Sequence, residues 1–110
     1  MEFISGNIFI RPMTFDRVGA VVEGHKHNFD HTTYVVRGAV RIEALADDDT
    51  VLRSIDKRAS DGYNWALIRA GVKHRITALT DDALAHCIYA HRDPQGDVVQ
   101  EWEGWEPAYV

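Results

Sequence analysis

The chain has 110 residues, of which 45% are hydrophobic and 26% charged, and its net charge is −5. This is the size of one domain with its own core, and we expect a single domain over residues 1–110. The acidic balance and the lack of any lysine and arginine cluster exclude ordinary nucleic-acid binding, because phosphate contacts need clustered cations. No segment approaches 18 apolar residues, so no membrane partner is expected.

Cys87 is the only cysteine in the sequence. It has no partner for an internal disulfide, so the fold does not depend on an oxidising compartment. The N-terminal sequence MEFISGNIFIRP lacks the basic start, the apolar run and the cleavage site of a signal peptide. These features predict a cytoplasmic protein.

Short extended segments with turn residues between them run through most of the chain. In AVRIEAL, for example, Val40, Ile42 and Ala44 are predicted to face one side of a strand, and the residues between them, with Leu45, the other. Many short strands at regular spacing predict an all-β sandwich or barrel. The segments are NIFI (7–10, ended by Pro12), VGAVVEGHKH, TTYVVRG, AVRIEAL, VLRSI, YNWALIR, VKHRITAL and ALAHCIYAH.

The C-terminal tail, residues 97–110, follows a turn at 93–96 and carries Trp102 and Trp105. Large apolar side chains are usually buried against something. We therefore expect the tail to pack on the barrel wall or on a dimer partner, and stacking on a substrate is the alternative.

Four histidines form the strongest candidate site: His25, His27 and His31 lie within GHKHNFDH, and His74 follows a glycine in AGVKH. On an extended strand His25 and His27 share one face, about 6.6 Å apart. A straight strand would carry His31 roughly 13 Å beyond His27. That is too far for one metal ion, since metal–nitrogen bonds are about 2.0–2.1 Å.

A reversal at residues 28–30 resolves this difficulty. Asn28 and Asp30 tolerate turn geometry and hydrogen-bond to their own backbone, so we expect a hairpin that folds His31 back beside His27. His74 must come from a distant strand, after a turn that Gly71 permits, and a barrel or sandwich brings such strands face to face.

These residues resemble the first motif of the cupin superfamily, G-x5-H-x-H-x3,4-E-x6-G. Gly19, His25, His27, His31 and Gly38 have this spacing, with His31 in the place of the glutamate. Motif one thus spans residues 19–38, and the resemblance as a whole spans residues 8–92.

The second cupin motif, G-x5-P-x-G-x2-H-x3-N, is matched at its centre by Gly71 and His74. Arg69 stands in the place of the proline, Ala78 in that of the asparagine and Tyr63 in that of the leading glycine. Motif two therefore lies around residues 62–78, with a match limited to its G-x2-H part.

The resemblance implies a single-domain cupin β-barrel, also called a double-stranded β-helix or jelly roll, and a homodimer. It further implies one divalent transition metal ion bound by His25, His27, His31 and His74. Iron, nickel, manganese, copper and zinc all accept imidazole, so the sequence does not choose among them. The alternative, hydrogen-bonded barrel histidines without metal, would leave polar nitrogens to satisfy at about 1–3 kcal/mol each.

Strand alternation next to these histidines suggests which residues surround the metal. For Trp65 a place in the core is the alternative, and for His86 a structural place outside the pocket. The predicted pocket-lining residues are Thr33, Val35, Ile76, Trp65 and His86.

The general acid or base is left open among Tyr34, His86 and Tyr89. Cys87 is interpreted as a small buried hydrophobic residue rather than a nucleophile. No arrangement typical of a serine or cysteine hydrolase is present.

Four neutral ligands would leave a divalent ion its full charge, in a low-dielectric interior that strengthens the field. The site should then favour a small anion that binds through one or two oxygens, such as an enolate, a diketonate or a carboxylate. The first hypothesis is a metal-dependent enzyme, in particular a dioxygenase-like oxidoreductase, although metal cupins also include isomerases, decarboxylases and lyases. The alternative is a non-catalytic, metal-dependent module that binds a small ligand. A storage cupin is disfavoured by the intact histidine set.

Overall fold

The computed structural model of this chain describes residues 2–24 and 26–99, which form nine β-strands. Among these residues there is no helix long and apolar enough to cross a membrane. The all-β prediction is confirmed. The strands are β1 (Phe3–Ser5), β2 (Ile8–Phe15), β3 (Val21–Glu23), β4 (His31–Arg37), β5 (Ala39–Leu45), β6 (Val51–Arg58), β7 (Trp65–Ile68), β8 (Lys73–Ala78) and β9 (Ala83–Ala90).

The strands form two antiparallel sheets. One has the order β1-β2-β9-β4-β7 and the other the order β3-β8-β5-β6. Strands β6 and β7 are thus edge strands of different sheets. This is the two-sheet architecture that the sequence predicts for a jelly roll.

Alternate residues of each strand face the space between the two sheets and form the core. Toward one end of the molecule these inward-facing residues change from apolar to polar. Strand β4 pairs antiparallel with β9, so the start of β4 lies beside the end of β9. The polar members of the inward-facing sets therefore meet. These buried sets are His31, Thr33 and Val35 on β4, His74, Ile76 and Ala78 on β8, and Ala83, Ala85 and Cys87 on β9.

Two details of the strand prediction are wrong. Strand β2 continues through Pro12 to Phe15, because β1 pairs only with residues 8–10 and leaves one edge of β2 free at the proline. Leu45 is buried like Val40 and Ile42, although the alternation predicts it on the opposite face, and the register of β5 with β6 shifts between Ala44 and Leu45. Such a bulge redirects the side chain that follows it.

Gly38 joins β4 to β5 with a φ of +73°. A Cβ at this position would overlap Thr80 Oγ1, which accepts a hydrogen bond from the Ala39 N–H at 2.9 Å. We expect Gly38→Ala to lower the free energy of unfolding by about 2–4 kcal/mol, because left-handed strain and overlap add.

The matched control is Gly19→Ala, since Gly19 has a φ of +87° but nothing within 4 Å of the added Cβ. Gly19→Ala should lower the free energy of unfolding only by the left-handed backbone strain, about 1–2 kcal/mol. Urea denaturation measures both, and equal losses in the two variants would show that the Thr80 contact is unimportant.

Candidate metal centre

Two loop contacts hold His27 and His31 near the turn that precedes His74. The His27 carbonyl accepts a hydrogen bond from the Gly71 N–H at 2.7 Å, and the Asp30 carboxylate accepts one from the Ala70 N–H, also at 2.7 Å. The loop before β4 is therefore fixed to the turn before β8.

The reversal predicted at residues 28–30 does bring the His27 and His31 rings together, but it is not a hairpin. Strand β3 lies in the four-stranded sheet and β4 in the five-stranded sheet. The connection between them crosses from one sheet to the other, and His27 lies in this loop rather than on a strand. The sequence could not show this, because turn residues alone do not specify which strands pair.

The rings of His27, His31 and His74 lie close together. Their centroids are 4.9 Å apart for His27 and His31, 5.1 Å for His31 and His74, and 6.1 Å for His27 and His74. Two imidazoles on one ion, with bonds of about 2.0–2.1 Å, have centroids about 4.5–5.3 Å apart. Two of the three distances fit. The longer one agrees with the finding that no group of three or more His, Cys, Asp or Glu in residues 2–24 and 26–99 is positioned to hold a metal ion.

A cavity of about 20 Å³ lies among these three rings, and Thr33, Ile76 and Cys87 also line it. This is room for one water molecule or one ion. His31 Nε2 and Thr33 Oγ1 are buried without a hydrogen-bond partner in the described part of the chain. A buried polar atom without a partner is costly, so an occupant that binds the Nε2 lone pair would relieve it. The residues present therefore fit a small metal ion, with one ring moving closer to the others.

Cys87 contacts Nδ1, the other nitrogen of the His31 ring, and so holds the ring in its orientation. Its Sγ lies 3.2 Å from His31 Nδ1, and burial raises the pKa of the thiol to about 11. When Nδ1 carries the ring proton, it donates to Sγ and leaves the Nε2 lone pair directed away from the thiol. This is the tautomer that a metal ligand needs. The sequence does not predict this role, although Cys87 lies opposite Thr33 in the β4–β9 pairing.

His31 is neutral at physiological pH. Burial, together with the nearby His74 and His27 rings, lowers its pKa to about 4, and Asp30 opposes this shift only weakly. Neutral imidazole is the form that binds metal ions.

Gly24 gives His74 the space for its position. The Gly24 N–H donates to the His74 carbonyl at 3.0 Å. A Cβ at residue 24 would lie 2.5 Å from that carbonyl oxygen and 2.6 Å from Cδ2 and Nε2 of the ring. Any side chain here must displace either His74 or the loop that carries residue 24. This glycine, which lies between β3 and the histidine cluster, is not among the site residues that the sequence predicts.

No family model matches the chain, and no curated protein matches it. Among solved structures, a variant of Bacillus subtilis oxalate decarboxylase superposes with a TM-score of 0.62 at 22% identity, over 79% of this chain and 22% of that one. KdgF from Halomonas sp. superposes with a TM-score of 0.65 at 23% identity, over 86% of this chain and 79% of that one. Both neighbours are cupins. This chain has the cupin fold.

A third cupin neighbour is Lactobacillus farciminis oxalate decarboxylase, solved as a formate complex, with a TM-score of 0.61 at 23% identity. The chain spans about a quarter or less of the oxalate decarboxylase chains, 24% and 22% in these two cases. At this identity the likeness establishes the cupin architecture.

Within this cupin fold, the residues predicted to surround the metal lie in different places. Thr33 and Ile76 line the cavity. Val35 is fully buried in the apolar core and does not line it. Trp65 is 43% exposed, and His86 lies on the outer side of β9, because the buried residues of that strand are its neighbours in sequence. Val35, Trp65 and His86 therefore lie outside the cavity, which corrects the predicted pocket lining; for His86 this is the structural place that the sequence left open.

His25, the remaining predicted ligand, lies outside the described residues, as do residues 100–110 of the tail. The part of the tail that is described folds back, with Arg92 and Val98 in a β-bridge and the Val99 N–H donating to the His91 carbonyl at 2.9 Å.

Of the three candidate acid–base residues, Tyr89 lies nearest the cavity. Its ring centroid is 6.3 Å from that of His31, and burial raises the pKa of its phenol. Tyr34 is 39% exposed and lies opposite His86 in the β4–β9 pairing, on the outer face. Tyr89 is therefore a protonated phenol beside the cavity, suited to donate rather than accept a proton.

Proposed function

We propose that this cupin is a metal-dependent enzyme, in particular a dioxygenase-like oxidoreductase that acts on a small anionic molecule able to chelate a metal through oxygen. The observation that supports this most strongly is the buried, unpartnered Nε2 of His31 in a cavity lined by the His27 and His74 rings. His27, His31 and His74 would hold the ion, with His25 as the fourth proposed ligand. A bound divalent transition metal supplies Lewis acidity and open coordination positions for substrate oxygens.

The chain's own residues would hold this site in place. Cys87 fixes the His31 ring through Nδ1, and the contact from Gly71 fixes the loop that carries His27. Tyr89 offers a protonated phenol at the edge. Arg11 and Glu23 also line the cavity and bring opposite charges, so they leave its net charge unchanged. Because neutral imidazoles would leave a bound divalent ion its full charge, the site favours an anionic ligand.

His31→Glu restores the usual carboxylate of the first cupin motif and changes the charge of the proposed ligand set. Metal should be retained, because a carboxylate is also a good ligand, but a unit of negative charge at the ion should weaken oxalate binding roughly tenfold or more. Calorimetric titration of the metal-loaded protein with oxalate measures this. His86→Glu adds the same charge on the outer face and should change oxalate affinity little. Equal affinities in wild type and His31→Glu would refute the charge argument.

A binding module without turnover is the second candidate, and the small volume of the cavity, about 20 Å³, favours it because room for an ion and little else suits the binding of a very small anion better than the conversion of a larger chelating molecule. Oxygen uptake by the metal-loaded protein with diketones, catechols and thiols distinguishes the two. Consumption supports the enzyme, and tight anion binding without consumption supports the module.

The homodimer and the cytoplasmic location belong to the same proposal. An aromatic patch on the outer face of the five-stranded sheet supports a homodimer: Tyr34, Tyr63 and Trp65 are 39%, 72% and 43% exposed. Tyr34 lies opposite Trp65 in the β4–β7 pairing, and the Tyr63 and Trp65 rings are 5.3 Å apart. Exposed aromatic groups of this kind are enriched in protein interfaces, and a second copy of the chain would cover them.

A further inference from the structure

A second, much larger cavity of about 440 Å³ opens between the edge strands β6 and β7, where the two sheets are not joined by hydrogen bonds. His74 contributes to the walls of this pocket as well as to those of the histidine cavity. The volume lies in the range of pockets that bind small organic molecules. We call it the edge pocket.

The walls of the edge pocket are mostly apolar. Ile42 and Ile55 line it from the four-stranded sheet, and Leu67 and Ile68 from the five-stranded sheet. Leu67 is 59% exposed and Ile55 46% exposed, so a ligand could bury apolar surface that now faces water. Such burial contributes about 25 cal/mol per Å².

Two arginines, one from each side, provide positive charge at this pocket. Arg53 belongs to β6 and Arg69 follows β7, and both are exposed. Within residues 2–24 and 26–99 neither side chain forms an ion pair, whereas Arg37, Arg41 and Arg75 each pair with a carboxylate.

The carboxylate in the edge pocket does not offset these arginines. Glu43 lines the pocket, but its Oε1 accepts hydrogen bonds from Nε and Nη2 of Arg75 at 3.2 and 3.1 Å. On a chain with a net charge of −5, two unpaired arginines beside an apolar cavity are a distinctive local excess of positive charge.

We propose that the edge pocket binds a small organic carboxylate with an apolar body, whose carboxylate lies between Arg53 and Arg69 and whose body packs against the isoleucines and Leu67. Arginine is suited to carboxylates because its guanidinium donates two parallel hydrogen bonds. The identification of this ligand as the substrate rests on the proposed function, since the connection to the metal site is that His74 lines both the edge pocket and the histidine cavity. The binding itself does not depend on the metal.

The test is a calorimetric titration of the full-length, metal-free protein with benzoate, a carboxylate with an apolar ring, and with acetate and benzyl alcohol as partial probes. Benzoate should bind more tightly than either. Arg53→Gln and Arg69→Gln should each weaken benzoate binding by about tenfold, the usual worth of a hydrogen bond to a charged group, and leave benzyl alcohol unaffected. The control is Arg58→Gln, an exposed arginine of β6 that does not line the pocket, which should change benzoate affinity less than twofold.

Unchanged benzoate affinity in the double variant Arg53→Gln/Arg69→Gln would overturn the proposal, as would benzoate binding no tighter than acetate. The same holds if sedimentation shows a dimer that Trp65→Asp dissociates and only the dissociated chain binds benzoate, because a second copy would then cover the pocket; Trp65 is exposed and does not line it. Benzoate binding in a protein that takes up no metal would refute the proposed function and leave the edge pocket standing. Thermal unfolding of each variant verifies that these surface changes preserve the fold.

Discussion

Replacing Gly24 with alanine is expected to displace His74 and to weaken metal binding by about tenfold or more, a loss comparable to that of a residue that orients a ligand. The added Cβ would lie 2.5 Å from the His74 carbonyl oxygen and 2.6 Å from two atoms of its ring. The oxygen belongs to the backbone of β8, so rotation of the side chain alone cannot relieve the contact. Overlap of this kind should also lower the free energy of unfolding by about 1–3 kcal/mol.

Gly62→Ala is the matched control for Gly24→Ala, because a Cβ at Gly62 would have nothing within 4 Å and its φ is not in the left-handed region. Its stability and metal affinity should both stay close to those of wild type. Metal affinity is measured by competition with a chromophoric chelator, and stability by urea denaturation of the metal-free proteins. A Gly24→Ala protein that binds metal as tightly as Gly62→Ala would show that the position of His74 is irrelevant to the ion.

The second large effect is a loss of stability of the metal-free protein in mild acid. Folding lowers the pKa of His31 from its ordinary value of 6.5 to about 4. Between these pH values the unfolded chain binds a proton at this residue and the folded chain does not, so acid favours unfolding. Above pH 6.5 the free energy of unfolding is unaffected by protonation of His31. As the pH falls from 6.5 to 4, proton binding by the unfolded chain lowers the free energy of unfolding by about 3 kcal/mol.

His31→Gln isolates this contribution, because glutamine does not titrate. The free energy of unfolding of the variant should decline less than that of wild type between pH 6.5 and 4, by up to about 3 kcal/mol. His86→Gln makes the same substitution on the outer face, away from the cavity, and is the control for the exchange itself. Urea denaturation across this pH range, with chelator present, gives all three curves. Parallel curves for wild type and His31→Gln would contradict the burial of a neutral His31.

Most of the fold could be predicted from local sequence patterns. The alternation of VKHRITAL and ALAHCIYAH gave β8 and β9, and turn residues marked the ends of most strands. Pro12 misled the prediction because whether a strand tolerates proline depends on whether a neighbour pairs at that point, which is a property of the sheet. The crossing between β3 and β4 was missed for the same reason.

The candidate site was predictable only in part. The spacing of the histidines suggested that the rings converge, and three of them do lie together, while His25 lies outside the described residues. The contact of Cys87 with His31 spans 56 residues of sequence, and the close approach of Gly24 to His74 joins the loop after β3 to strand β8. Such contacts depend on strand register across the fold, which a single sequence does not reveal. His86 is an example: a shift of one residue in the alternation moves its side chain from the inner to the outer face of the sheet, and the local sequence does not decide between the two.

The central claim is that His27, His31 and His74 bind one metal ion. Its most direct test is the metal content, by mass spectrometry, of the full chain purified without a metal-affinity column. We predict about one iron, nickel, manganese, copper or zinc ion per chain, retained in His86→Gln and lost in His31→Ala and His74→Ala. A wild-type protein that contains no such ion and takes up none when each is added would contradict the claim.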